Sequence, residues 1–120
     1  MANILIVDDS SSMRQMVAFT LKSKGHNVTE AADGNAALAQ AKRSAFDLVI
    51  TDVNMPGMDG LALTKSLRSD SLCKTVPILL LTTEASADKK AEGRAAGATG
   101  WLVKPFHPDS LMATIAKVLR

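Results

Sequence analysis

Tyrosine is absent from this chain, and its aromatic side chains are three phenylalanines and one tryptophan. Phe19, Phe46, Phe106 and Trp101 are scattered, which argues against a base-stacking surface for nucleic acid. Charge of one sign is equally scarce. Fourteen Lys and Arg against twelve Asp and Glu leave a net charge of +2, too little to draw in a polyanion or an acidic membrane surface. No apolar run approaches the length needed to cross a bilayer. Asp8-Asp9 interrupts the N-terminal run, and no small-residue cleavage site follows, so no secretory leader is expected. The single cysteine, Cys73, cannot form an internal disulfide; a cytoplasmic protein is expected, with Cys73 incidental to function. His26 and His107 lack metal-ligand spacing and are expected to be solvated.

What the chain does have is alternation. At 120 residues, with 47% hydrophobic and 22% charged residues, it is expected to form one domain spanning 1–120. No linker, low-complexity segment or repeat divides it. An apolar strand at 3–7 precedes a helix capped by Ser10-Ser11-Ser12 and running to about Lys24. There Met13, Met16, Val17 and Leu21 form a stripe expected in the core. A weak strand at Val28–Ala31 leads through an Asp33-Gly34 turn to an Ala-rich helix, Ala36–Arg43. Strand 47–52 is followed by the loop Asn54–Gly60 and a helix over Leu61–Ser69. Pro77–Thr82 is the most apolar strand and is expected at the centre of the sheet. A helix over Ala85–Ala96, a strand over Gly100–Val103 and a helix over Asp109–Leu119 close the chain. Five strand–helix alternations predict a three-layer α/β fold with right-handed crossovers.

Two of the apolar runs end in carboxylates. Asn3-Ile4-Leu5-Ile6-Val7 runs into Asp8-Asp9, and Phe46-Asp47-Leu48-Val49-Ile50-Thr51 runs into Asp52. Short, continuous, β-branched runs read as strands buried on both faces, hence as a parallel sheet. In such sheets ligands bind just beyond the carboxyl ends of the strands. If the two strands are neighbours, Asp8, Asp9 and Asp52 meet there, and their mutual repulsion calls for a cation. An all-oxygen donor set suits a hard divalent ion, Mg²⁺ where phosphate is handled. Helix capping or solubility explains any one of these acids about as well; it does not explain the trio.

The other strand ends add to this rim. Thr82 ends the fourth strand with a hydroxyl, Lys104-Pro105 follows the fifth with a cation, and the Asn54 carbonyl lies two residues beyond Asp52. Carboxylates, a hydroxyl, an ammonium and a divalent ion are the groups that transfer of a phosphoryl group to a carboxylate needs. Pro105 biases Lys104 toward extended geometry.

These patches resemble the receiver domain of two-component response regulators, and in particular its free-standing chemotaxis (CheY) type. The matching segments are Ile6-Val7-Asp8-Asp9-Ser10, Asp52-Val53-Asn54-Met55-Pro56-Gly57-Met58-Asp59-Gly60, Leu81-Thr82-Thr83-Glu84, and Gly97-Ala98 with Gly100-Trp101-Leu102-Val103-Lys104-Pro105-Phe106. They cover the chain in order and at the right spacing. The resemblance implies a doubly wound, flavodoxin-like five-stranded parallel sheet of order 2-1-3-4-5 flanked by five helices, with no output domain.

It also implies roles. Asp52 would be the phosphoacceptor; Asp9 would bind Mg²⁺ directly, Asp8 mostly through water, and the Asn54 carbonyl would complete the ligand set. Thr82 and Lys104 would contact the phosphoryl group. Thr82 moving inward would draw an aromatic on the last strand, here Trp101 where Tyr or Phe is commoner, and remodel a partner face that includes Lys90, Ala87 and Thr114. Asn54 and Glu84 would set the lifetime of the phosphoryl group, their pairing being one associated with rapid turnover. Thr83, larger than the residue usually found beside the switch Thr, would narrow access.

The function implied is a chemotaxis switch that is not itself an enzyme. It takes a phosphoryl group from a histidine kinase, binds the flagellar motor switch, and acts as a monomer with a phosphatase as a further partner. A phosphate sink or relay receiver would share the same chemistry with a different partner face. An aspartyl-nucleophile phosphatase of the haloacid dehalogenase type wants a second Asp two residues after the nucleophile, where Asn54 cannot transfer a proton. A flavodoxin-like carrier wants a Ser/Thr-rich phosphate loop where Asp8 and Asp9 stand.

Overall fold

The computed structural model describes residues 2–70, 73–83 and 86–119. Five strands alternate with five helices: β1 Asn3–Val7, α1 Ser11–Ser23, β2 Asn27–Ala31, α2 Gly34–Arg43, β3 Leu48–Asp52, α3 Gly60–Ser69, β4 Ile78–Thr82, α4 Ala87–Ala96, β5 Gly100–Val103 and α5 Pro108–Val118. The strands form one parallel sheet in the order β2-β1-β3-β4-β5. The flavodoxin-like doubly wound architecture expected from the sequence is therefore the one observed. The middle strand, however, is β3 and not β4. Both are buried at every position, so apolarity alone does not distinguish a middle strand from its interior neighbour.

Side chains alternate across the sheet and divide the core in two. Leu5, Val7, Val49, Ile78 and Leu80 face the side where Ala37 and Ala41 of α2 and Leu63 and Leu67 of α3 pack. Ile4, Ile6, Leu48, Ile50, Leu79 and Leu81 face Val17 and Leu21 of α1 and Leu111 and Ile115 of α5. Each helix begins at a capping side chain: Ser10, Asp33, Asp59, Ser86 and His107 each accept a backbone N–H from the first turn. Gly34, expected in a turn, is instead the first residue of α2, with Asp33 its cap.

Two expectations about surface residues are corrected. Met16 is 38% exposed rather than core, and Phe19 is 75% exposed; the buried stripe of α1 is Val17, Ala18 and Leu21. His26 is only half-exposed, and its Nδ1 accepts the Ala2 N–H at 3.1 Å. Met55 is buried in the core and Met58 packs partly against it. Among the described residues no helix is long and apolar enough to cross a membrane.

Cys73 is buried, and that burial pushes its thiol above the ordinary range, with Asp70 adding to the rise. Its alkylation by a maleimide at pH 7 is expected to be at least about tenfold slower than that of glutathione, because the thiolate is the nucleophile. Mass spectrometry of quenched samples reads this directly, and labelling at the rate of glutathione would contradict it.

Candidate functional site

Register places the site. Val7 pairs with Thr51, so Asp8 and Asp52 each lie one residue beyond that pair, side by side at the carboxyl ends of β1 and β3. Here the strand order changes direction, which opens a crevice at the sheet edge. On β4, Thr82 pairs with Val103 of β5, and Lys104 follows one residue later. The Lys104–Pro105 peptide is cis.

Asp8, Asp9 and Asp52 each offer a carboxylate oxygen within 4.8 Å of the others'. Asp8 and Asp52 are buried and Asp9 is exposed. The Lys104 ammonium donates to Asp52 Oδ1 at 3.0 Å and stands 3.6 Å from Asp8 Oδ2, all three side chains being largely shielded from water. Asp8 Oδ1 accepts the Ser10 N–H at 2.9 Å, but Asp8 Oδ2 is buried with no hydrogen-bond donor. Burial pushes the Asp8 carboxyl above the usual carboxylate range, against the Ser10 N–H and Lys104, which pull it down.

Such an orphaned anionic oxygen, beside two further carboxylates, is what a hard divalent cation would satisfy. The donor chemistry therefore fits Mg²⁺. Without the cation, the cluster works against folding. Asp8→Asn keeps the acceptor for Ser10 and removes one buried charge, so urea unfolding in the absence of Mg²⁺ is expected to show a gain of roughly 0.5–2 kcal/mol. Mg²⁺ affinity should fall sharply in the same variant. An unchanged or lowered stability would contradict this account of Asp8.

The other residues singled out by sequence lie around this cluster. Thr82 is buried and lines a small crevice of about 20 Å³, room for one water, together with Val53, Leu61, Leu80, Lys90 and Trp101. Asn54 is exposed just beyond β3, and Thr83 is exposed beside Thr82. Trp101 is half-buried against the core, with Lys90 Nζ 5.0 Å and Arg94 Cζ 5.4 Å from its ring centroid. Lys90 is thus held against the indole rather than extended into solvent. Ala87 opens α4 and Thr114 lies on α5. Glu84 lies outside the described residues.

Three contributors were not legible in advance. Arg14 donates through Nη1 to the Asp8 carbonyl at 2.7 Å and through Nε to Glu30 at 3.0 Å, holding the start of the acidic loop. Gly60 packs against the backbone at Asp52 and Val53, and its N–H returns to the Val53 carbonyl at 2.9 Å. Arg94 shares the Trp101 ring with Lys90; the spacing of four residues was the available signal.

With this doubly wound α/β fold and acidic edge, the chain belongs to the response regulator receiver domain family, whose model matches residues 4–116. Receiver domains bind Mg²⁺ at an acidic pocket, and Asp8, Asp9 and Asp52 form such a pocket here. The chain is 45% identical to chemotaxis protein CheY-3 of Vibrio cholerae over 116 residues, covering 96% of this chain and 89% of that one. It is 42% identical to chemotaxis protein CheY of Pseudomonas aeruginosa, covering 96% and 94%. Among solved structures, Vibrio cholerae chemotaxis protein CheY4 superposes with a TM-score of 0.97 at 55% identity, over 99% of each chain.

Proposed function

We propose that this chain is a phosphorylation-activated response regulator of chemotaxis, accepting a phosphoryl group from a histidine kinase on Asp52 and then binding the flagellar motor switch. The observation that carries this reading is Lys104 Nζ bonded to Asp52 beside the orphaned oxygen of Asp8. The chemotaxis names of its relatives support the pathway, a cytoplasmic one.

In this reading an Asp52 carboxylate oxygen attacks the phosphorus of a phosphohistidine. The P–N bond breaks, the imidazole takes up a proton as it leaves, and an acyl phosphate remains on Asp52. Asp8, Asp9, Asp52 and the Asn54 carbonyl would hold Mg²⁺, which would supply positive charge to offset the carboxylates and the phosphoryl oxygens. Lys104 shifts from the Asp52 carboxylate to a phosphoryl oxygen, and the Thr82 hydroxyl donates to another. Little proton chemistry is asked of the protein; positioning and charge are its contribution. Thr82 and Trp101 line the same crevice, so movement of the hydroxyl toward the phosphoryl group alters what the indole packs against. Asn54, Thr83 and Glu84 tune how long the acyl phosphate lasts, and the kinase and motor protein meet the rim and the Trp101 face respectively.

Trp101 is the sole tryptophan and reports on its own state. Beryllofluoride with Mg²⁺ is expected to change its emission, with the change lost in Asp52→Asn. An N-terminal peptide of the motor switch protein is then expected to bind more tightly to the activated form. Activation without peptide binding would replace the motor role by that of a phosphate sink or relay receiver. No response to beryllofluoride would overturn the reading.

A further inference from the structure

We propose that Lys90 and Arg94 are positioning residues that clasp the Trp101 indole and hold β5 and α4 in the arrangement described, so that releasing the clasp is part of the cost of switching. This inference rests on the receiver reading above and adds to it a restraint supplied by this chain's own α4.

Helix α4 buries no large side chain of its own. Its buried residues are Gly93 and Ala96, neither of which supplies a large apolar anchor. Gly93 lies so close to the sheet that a Cβ there would meet Leu80 Cδ1 at 3.0 Å. Larger α4 side chains meet the sheet edge at Trp101. Lys90 and Arg94 stand four residues apart, hence on one helix face, with their charged ends 5.0 and 5.4 Å from the same ring centroid. Two like charges at that spacing repel each other unless something between them is attractive. Among the described residues neither is in an ion pair with a carboxylate, whereas neighbouring Lys89 pairs with Glu92 at 3.5 Å. The indole face supplies the missing attraction. Lys89 and Lys90 both line the crevice shared by Thr82 and Trp101, but the ring contacts are those of Lys90 and Arg94, so the clasp touches the point where the site and the indole meet.

In the structure Lys104 is bonded to Asp52, a bond that a phosphoryl group on Asp52 would displace. A clasp on the indole in this state opposes departure from it. Removing the clasp therefore eases activation, whereas removing positive charge near an anion site would, by simple electrostatics, weaken it. The two effects differ in sign.

The test is a beryllofluoride titration in Mg²⁺, followed by Trp101 emission, on the wild-type chain, Lys90→Met, Arg94→Met, the double variant, Lys90→Arg and Lys89→Met. Methionine keeps an apolar stem over the ring and removes the charge. The double variant is expected to reach half-saturation at about fivefold lower beryllofluoride, each single variant at about twofold lower. Lys90→Arg keeps a cation on the ring and should match the wild type. Lys89→Met removes the same charge from the same crevice but not from the ring, and should not lower the midpoint. Without beryllofluoride, acrylamide should quench Trp101 more strongly in the double variant than in the wild type. An unchanged or raised midpoint in the double variant, or a lowered one in Lys89→Met, would overturn the clasp. A wild-type chain silent to beryllofluoride would overturn the receiver reading instead, and acrylamide quenching alone would then decide whether the clasp exists.

Discussion

Arg68→Ala is expected to unfold at a temperature roughly 10 °C below the wild type, a loss of about 3 kcal/mol, although Arg68 is not part of the acidic site. Its guanidinium, at the end of α3, donates to four backbone carbonyls: Gly97 at 2.9 Å, Cys73 at 2.8 Å, Val76 at 2.6 Å and Lys74 at 3.3 Å. A fifth contact reaches Thr99 Oγ1 at 3.5 Å. These acceptors come from the approach to β4 and from the turn between α4 and β5, so one side chain fixes both segments to α3. Burial pulls the guanidinium below its ordinary value, yet an arginine remains charged at neutral pH, and the surrounding carbonyls stand in for water. Truncation leaves these acceptors without a donor, and hydrogen bonds to charged donors are the stronger kind. The α4–β5 turn is shaped to this residue: Gly97 has φ +105°, and a Cβ there would meet Arg68 Cγ at 2.8 Å. Arg68→Lys should recover less than half of the loss, because an ammonium cannot span acceptors arranged around a planar fork. Urea and thermal unfolding of both variants check this. Arg68→Ala within about 0.5 kcal/mol of the wild type would contradict it.

Gly60→Ala has the second large effect, and it falls on both stability and phosphorylation. Gly60 begins α3 where that helix meets the end of β3 backbone to backbone. A Cβ at this position would collide with the Asp52 carbonyl oxygen and come within 2.9 Å of Val53 Cα and 3.0 Å of the Asp52 carbonyl carbon. None of these is the movable end of a side chain, so the helix and the strand end must part. Overpacking of this kind costs about 1–3 kcal/mol. In the proposed reading the displaced residue, Asp52, is the phosphoacceptor, and a shift of about 1 Å at a reacting group costs on the order of 100-fold in rate. The expected result is a folded, destabilised protein whose phosphorylation by acetyl phosphate is slowed by about that factor. A near-normal rate would show that Asp52 does not depend on the Gly60 contact.

The sequence carried most of the fold because its strands are short, apolar and punctuated by caps and glycines. β5 was legible to the residue, since Gly100 and Lys104-Pro105 bracket it. Helix starts were less so: Gly34 and Gly60 read as turn residues, yet each follows an Asp whose side chain caps the helix, and that pairing is visible only once the backbone turns. Met16 looked like core because it stands three residues from Met13 and next to Val17, but the stripe is narrower than the pattern allows, and Met16 falls on its solvent edge. In the site, Asp8, Asp9, Asp52, Thr82 and Lys104 were identifiable from their places at strand ends, and register brings the acids and Lys104 together. Arg14 and Arg68 were not identifiable, because an arginine's reach exceeds any spacing rule and most of their acceptors are backbone carbonyls; for Arg94 the four-residue spacing from Lys90 was the one signal.

The most direct test of the central claim is to incubate the protein with acetyl phosphate and Mg²⁺ and locate the product by intact and peptide mass spectrometry. The account predicts one hydroxylamine-labile phosphoryl group on the peptide containing Asp52, absent without Mg²⁺ and absent in Asp52→Asn. A phosphoryl group that persists in Asp52→Asn, or none in the wild-type protein, would contradict it.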